Sequence, residues 1–172
     1  RRRFIPGIFD SVELVLTGAP HIARVQAVPD VERKAVTVHA WVKAAGAPAA
    51  LTLKVAVREA ASGQAAGGGE CVVAPGDGPE RTGQVTIPLR NARTWSPEDP
   101  FLYRIEVRGD GDLLTTRFGL RSFRLDPATG RAILNGKPCF LRGSNVTLYR
   151  FFEDAERGDR PWRAEWVRRM HK

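Results

Sequence analysis

Hydrophobic and polar residues alternate along most of this chain with the period of β-strands. From Ala35 to Lys43 every second residue is Val or Ala, and the residues between them are mostly polar or aromatic. The same alternation recurs at 51–58, 84–89 and 101–108. Successive side chains of a strand point to opposite faces of the sheet, so each segment predicts a strand with one buried face.

Shorter strands are predicted at 12–16, 21–28, 70–73 and 113–120, each bounded by residues that favour turns. The Gly-rich segment 62–69 is predicted to be a loop, and it lacks the glycine spacing of phosphate-binding loops. About seven strands with turns between them predict an all-β, immunoglobulin-like antiparallel β-sandwich. We place this sandwich at 19–121. The Cys-Trp-Cys arrangement of antibody domains is absent, so the likeness is one of architecture.

The hydrophobic pattern changes after residue 121. A β-hairpin is predicted from a strand at 131–134, an Asn-Gly turn at 135–136 and a second strand at 139–141, with Pro138 where that strand begins. Apolar residues at helical spacing then predict a helix at 161–172. A strand followed by a helix cannot bury its own faces, so we expect it to belong to a further domain.

Charge is concentrated at the two ends of the chain. The net charge is +8, of which residues 1–3 carry +3 and residues 142–172 carry another +3. A nucleic-acid-binding domain is expected to show a basic stripe with interleaved aromatics, and none is present, so no nucleic-acid partner is predicted. No apolar run approaches the roughly 20 residues that span a bilayer, so no membrane association is predicted either.

The cysteines and histidines do not suggest a metal site or a cofactor. Cys71 and Cys139 lie in strand-like segments, which favours small buried hydrophobic residues over a disulfide. The three histidines are widely separated and lack metal-ligand spacing. We therefore predict no metal and no cofactor.

Three segments of the chain resemble one enzyme family. They are Gly-Ile-Phe-Asp-Ser-Val-Glu-Leu at 7–14, Trp-Ser-Pro-Glu-Asp-Pro-Phe-Leu-Tyr at 95–103, and Phe-Gly-Leu-Arg-Ser-Phe at 118–123 followed by Leu-Asn-Gly-Lys-Pro-Cys-Phe-Leu-Arg-Gly-Ser-Asn at 134–145. Their order and composition resemble glycoside hydrolase family 2, the group of β-galactosidases, β-glucuronidases and β-mannosidases.

The resemblance implies three regions. Residues 1–18 would be the tail of an N-terminal sugar-binding jelly-roll domain, and residues 19–121 the sandwich. Residues 122–172 would be a linker hairpin and the first βα unit of a truncated (β/α)₈ barrel.

The resemblance also implies a function for the parent protein. The family hydrolyses O-glycosidic bonds with retention, using two carboxylic acids. Both are expected further along the barrel than Lys172, so the chain would be a non-catalytic and inactive fragment whose sandwich acts as a spacer. Its expected partners are the carbohydrate substrate and neighbouring domains of the same protein. A stand-alone carbohydrate-binding or adhesive β-sandwich is the alternative, and the sequence after Lys172 would distinguish the two.

Arg142 and Asn145 are the candidate substrate-binding residues. They match the family's Arg-Gly-X-Asn pattern in the loop after the first barrel strand, and barrel chemistry takes place at the C-terminal ends of the strands. Asn145 would either contact the sugar or, with Arg142, hold the loop by hydrogen bonds. The residues that follow, Val146 and Thr147, depart from the Asn-Arg-His of galactosidases and glucuronidases.

Two pairs of adjacent carboxylates occur, Glu98-Asp99 and Glu153-Asp154. Neighbours in sequence normally point apart, and both pairs lie in polar segments. We expect solvated surface groups and no catalytic residues among them.

Overall fold

The computed structural model describes residues 12–14, 16–18, 20–43, 49–76 and 78–141. Within these ranges there are ten β-strands and no helix, so the described part of the chain is all-β. No helix long and apolar enough to cross a membrane occurs among the described residues.

Seven strands form the larger sheet and three form a smaller one, and all the pairings are antiparallel. The strands of the larger sheet are β1 (His21–Asp30), β2 (Ala35–Lys43), β3 (Leu51–Glu59), β4 (Ala65–Val73), β5 (Glu80–Pro88), β6 (Tyr103–Arg108) and β7 (Leu113–Phe118). Those of the smaller sheet are β8 (Phe123–Leu125), β9 (Ala132–Leu134) and β10 (Lys137–Cys139).

The larger sheet folds over on itself to make a sandwich. Its strand order is β1-β2-β5-β4-β3-β6-β7, and β4 and β5 share a single registered pair, Val73 with Gly83. One layer therefore contains β1, β2 and β5, and the other contains β4, β3, β6 and β7. The two end strands, β1 and β7, approach each other, so the sandwich is nearly closed. The predicted immunoglobulin-like antiparallel sandwich is confirmed.

The core lies between the two layers and follows the alternation in the sequence. In β2 the residues Val36, Val38 and Ala40 are fully buried, as the pattern predicted. Tyr103 is the largest fully buried side chain, and its ring stacks on Phe118 at a centroid distance of 5.3 Å. The inner faces of the central strands supply most of the remaining core: Val42, Leu53, Val55, Val57, Cys71, Val73, Ile87, Ile105 and Val107.

The loop predicted at 62–69 is wrong for residues 65–69, which begin β4. Glycine is depleted in strands because it packs no side chain, yet here its lack of a Cβ is what the geometry requires. A Cβ on Gly67 would lie 2.7 Å from Ile87 Cγ2 and 2.9 Å from the Pro88 carbonyl oxygen. The glycines therefore allow β4 to pass close to β5.

The strand predicted at 12–16 is also wrong. Val12, Leu14 and Leu16 are not in a strand, and their exposed fractions are 75%, 86% and 85%. An alternating sequence forms a strand only where a neighbouring strand supplies the ladder of hydrogen bonds. None pairs with this segment among the described residues.

The hairpin predicted after residue 121 is confirmed at its turn and corrected in its second strand. Asn135 and Gly136 have φ values of 48° and 78°, as a two-residue hairpin turn requires. The turn sets Lys137 opposite Leu134, so β10 starts two residues earlier than predicted and has Pro138 at its middle. β10 is an edge strand, where a proline is tolerated. β8, which the sequence did not reveal, completes this sheet. Of the predicted βα unit, only residues 139–141 are described, and of these Cys139 alone is in a strand. The predicted helix lies outside the described residues.

Gly83→Ala tests the close contact between the two layers. Its Cβ would lie 2.6 Å from the Val72 carbonyl oxygen and 2.9 Å from Cys71 Sγ, so the layers must separate. We expect a loss of about 1–3 kcal/mol in the free energy of unfolding, measured with urea, as for other overpacked sites. Gly78→Ala is the matched control, because its nearest neighbour, the Glu80 carbonyl oxygen, is at 3.5 Å. Equal losses in the two variants would contradict this account.

The burial of Cys71 predicts that the sandwich loses stability at alkaline pH. Its thiol is fully buried, and this burial raises its pKa. The folded state therefore keeps the proton at pH values where the unfolded thiol, with a pKa of about 8.5, begins to lose it. We expect the free energy of unfolding to be unaffected by this group below that pH and to fall above it. Urea unfolding between about pH 7.5 and 9.5 should show a shallower decline for Cys71→Ala. Parallel declines in the two proteins would refute the assignment.

Candidate functional site

The two substrate-binding residues predicted from the sequence, Arg142 and Asn145, lie outside the described residues. The same holds for the carboxylate pair Glu153-Asp154. Their placement in a sugar-binding loop therefore stays a prediction. Among the described residues, the contacts that join the sandwich to the small sheet come closest to this loop along the chain.

Glu98 and Asp99 do not form an acid/base pair. The Asp99 carboxylate accepts two hydrogen bonds from Arg93 Nη2, at 2.9 and 3.2 Å. The pKa of the exposed Glu98 is lowered by hydrogen bonds from its own backbone amide and from the Ser96 hydroxyl. Asp99 is therefore engaged in an ion pair with Arg93, and the lowered pKa of Glu98 is the opposite of what a general acid requires.

Asn135 joins three segments of the chain. Its side-chain Nδ2 donates to the Trp95 carbonyl oxygen at 2.9 Å, and its Oδ1 accepts from the Ser122 amide at 3.0 Å. Its own amide donates to the Ser122 carbonyl oxygen at 2.9 Å. The turn between β9 and β10 is thereby fixed both to the segment before β8 and to the loop before β6. We call these three residues, Trp95, Ser122 and Asn135, the junction.

Trp95 is held at the junction from two further sides. Its amide donates to the Leu120 carbonyl oxygen at 2.9 Å. A Cβ on Gly119 would lie 2.8 Å from Trp95 Cβ and Cγ, so the ring needs a glycine beneath it. The Arg121 guanidinium carbon lies 4.4 Å from the ring centroid, within the range of a cation–π interaction. The Trp95 side chain is thus packed against the segment that joins β7 to β8.

An open cleft lies beside the junction, between the sandwich and the small sheet. Its lining includes Ser96, Glu98, Asn135, Lys137 and Cys139. The described residues contain no group of three or more His, Cys, Asp or Glu side chains placed to hold a metal ion. The hydrogen bonds of the junction can hold the small sheet in position against the sandwich.

Three aromatic rings of the sandwich each have one face covered by an arginine. On the outer face of β2, the Arg24 guanidinium carbon lies 3.8 Å from the Trp41 ring centroid. Arg93 covers Phe101 in the same way, at 4.1 Å. Together with Arg121 on Trp95, these pairs use arginine to occupy one ring face each. The alternative of a stand-alone carbohydrate-binding module stays a prediction.

The sequence did not predict that Trp95, Ser122 and Asn135 are joined by hydrogen bonds. The Asn-Gly dipeptide at 135–136 predicted the turn, but it gave no sign that the Asn135 side chain reaches Trp95, 40 residues earlier in the chain. The available signal was the placement of both residues within the segments that resembled one family.

Comparison with known proteins gives the family. Residues 20–121 match the family model described as glycosyl hydrolases family 2. A solved structure of a glycosyl hydrolase family 2 member from Bacteroides cellulosilyticus is similar at 18% identity and a TM-score of 0.59, covering 72% of this chain and 18% of that one. A calcium-binding mutant of Bacteroides uniformis β-glucuronidase 2 is similar at 24% identity and a TM-score of 0.52, covering 72% and 17%. The chain thus spans less than a fifth of either protein.

Asn135→Gly tests whether the junction stabilises the fold. The variant keeps a residue suited to positive φ but loses both side-chain hydrogen bonds, leaving the Ser122 amide and the Trp95 carbonyl without these partners. We expect a loss of about 1–3 kcal/mol in the free energy of unfolding, measured with urea.

Asn91→Gly is the matched control. Asn91 has the same φ of 48°, and its side chain makes no hydrogen bond within the described part of the chain. A change of only a few tenths of a kcal/mol is expected there. If Asn135→Gly were as mild as the control, the junction would not be a stabilising contact.

Proposed function

Because the chain belongs to glycosyl hydrolase family 2, we propose that the protein of which it is part hydrolyses O-glycosidic bonds. The observation that carries the proposal is the family match over 20–121, a range that contains all seven strands of the sandwich. The three junction residues also lie in segments that resemble the family, at 95–103, 118–123 and 134–145.

We propose retention as the stereochemical course. Retaining glycosidases use two carboxylic acids about 5–5.5 Å apart. One protonates the leaving-group oxygen while the other attacks the anomeric carbon. Water then releases the glycosyl-enzyme intermediate with the first group acting as base. Since Asp99 is paired with Arg93 and the pKa of Glu98 is lowered, we assign the catalytic pair to a barrel that continues beyond this chain.

Arg142 and Asn145 are proposed to lie at the edge of the sugar pocket. In a (β/α)₈ barrel the loops after the strands surround the active site, and the Arg-Gly-X-Asn segment would be the first of these loops. An asparagine amide can both donate to and accept from sugar hydroxyls, and an arginine can hold the loop through several N–H donors. The carbohydrate substrate and the neighbouring domains are the proposed partners.

The sandwich is proposed to act as a spacer that sets the position of the barrel. A spacer must be rigid, and the nearly closed sandwich with its buried core is suited to that role. The junction supports the same role, because Asn135 ties the hairpin that leads toward the barrel segment to a loop of the sandwich. No chemical step is assigned to the sandwich itself.

Hydrolysis of aryl β-galactosides, β-glucuronides and β-mannosides tests the proposal. We expect the full-length protein to hydrolyse at least one of them and this chain alone to hydrolyse none. Proton NMR of the first-formed sugar should show the anomeric configuration of the substrate, as retention requires.

Each arm of this experiment can fail separately. A full-length protein inactive on all three substrates would overturn the assignment as a hydrolase of these glycosides. Turnover by this chain alone would overturn its role as an inactive spacer, and an inverted product would overturn retention.

A further inference from the structure

Three arginines stand in one row across the outer face of the four-stranded layer. Arg58 of β3 is registered with Arg104 of β6, and Arg104 is registered with Arg117 of β7. All three face outward, since Val57 and Ile105, beside Arg58 and Arg104, are fully buried, and Phe118, beside Arg117, is buried in the core. We call Arg58, Arg104 and Arg117 the arginine row.

The arginine row is poorly compensated by the protein itself. Like charges directly opposite each other in a sheet are destabilising. The row has one ion pair among the described residues, between Arg104 Nη2 and Glu106 Oε1 at 3.1 Å. Arg58 Nη1 donates to the Gly63 carbonyl oxygen at 3.3 Å, and the buried Arg104 Nε has no hydrogen-bond partner. An anion at this row would relieve the repulsion between the guanidinium groups.

A second cationic row lies four residues along the same strands. Lys54 of β3 is registered with Arg108 of β6, and Glu70 of β4 lies opposite Lys54. Between the two rows, the outward residues are Gly68, Ala56, Glu106 and Thr115, and Glu106 is paired with Arg104. The face therefore carries five cations, Arg58, Arg104, Arg117, Lys54 and Arg108, against two carboxylates, Glu106 and Glu70, and its net charge is positive.

We propose that this face binds a linear acidic glycan, whose uronate carboxylates pair with the arginine row. The planar guanidinium matches a carboxylate through two parallel hydrogen bonds, a geometry that a lysine cannot offer. Adjacent strands are about 4.8 Å apart, so the row presents three guanidinium groups over about 10 Å. A chain with repeated carboxylates can engage more than one of them at once.

The chemistry of the face favours a glycan over other acidic partners. A protein interface has an apolar core, and here the exposed apolar side chains are Val72 and Leu113, at the ends of the face. Single-stranded nucleic acids stack their bases on aromatic side chains, and this face has none in its described strands. The choice of a glycan over a simple polyanion rests on the proposed function.

Binding of polygalacturonate to this chain tests the proposal. We expect the unchanged chain to bind it in isothermal titration calorimetry, more weakly as salt is raised, and not to bind neutral dextran. The variant R58Q/R104Q/R117Q should bind at least about tenfold more weakly, since hydrogen bonds to charged groups are lost. Its thermal unfolding should show little net change, because the variant loses the repulsion within the row together with the Arg104–Glu106 ion pair and the Arg58–Gly63 hydrogen bond.

A matched control removes three arginines from other exposed positions, as R33Q/R90Q/R131Q. This variant has the same net charge and should bind polygalacturonate as the unchanged chain does. Equal weakening in both variants would mean non-specific charge attraction, and would overturn the site. So would failure of the unchanged chain to bind, or equal binding of single-stranded DNA. The hydrolase proposal is tested on the full-length protein, so the two can fail independently.

Discussion

The closest approach of the two layers, where β4 passes β5, is the contact on which the rest of the sandwich depends. One registered pair, Val73 with Gly83, connects the layers there, and glycines at 67 and 83 leave no room for a Cβ. If this contact opened, Cys71 and Val73 would lose their fully buried positions, and the edge of each layer would meet water. The spacer role proposed for this domain therefore requires that these two glycines keep the layers in contact.

The strands that the sequence predicted correctly are those in which apolar side chains mark the buried face. In β2, β3 and β6 every inward position carries an apolar residue, and all but Ala40 are branched or aromatic, so the period of two is visible without knowing the partner strand. The glycines of β4 carry no such signal, because what they fit is a strand about 20 residues later in the chain. The start of β10 was missed for a related reason, since a two-residue turn fixes pairing from its first flanking residue.

The candidate sites were predictable to a smaller extent. The Asn-Gly turn followed from local chemistry, whereas the bond from Asn135 to Trp95 depends on the packing of segments far apart in the chain. The total charge did not indicate the arginine row, because residues 4–141 carry a net charge of only +2. Strand register sorts those charges onto separate faces, and register depends on pairing. Arg142 and Asn145 rest on family resemblance alone.

The outward arginines also bear on how the sheet acquires its correct pairing. Arg58, Arg104 and Arg117 each sit one peptide unit from a core residue. A slip of one residue in β3, β6 or β7 would turn its arginine inward, and an unpaired buried charge is strongly unfavourable. Misaligned pairings are thereby penalised at three neighbouring strands at once. The arginines that we propose bind an anion in the folded protein would thus also disfavour misaligned strand pairings, which could otherwise trap the protein as it folds.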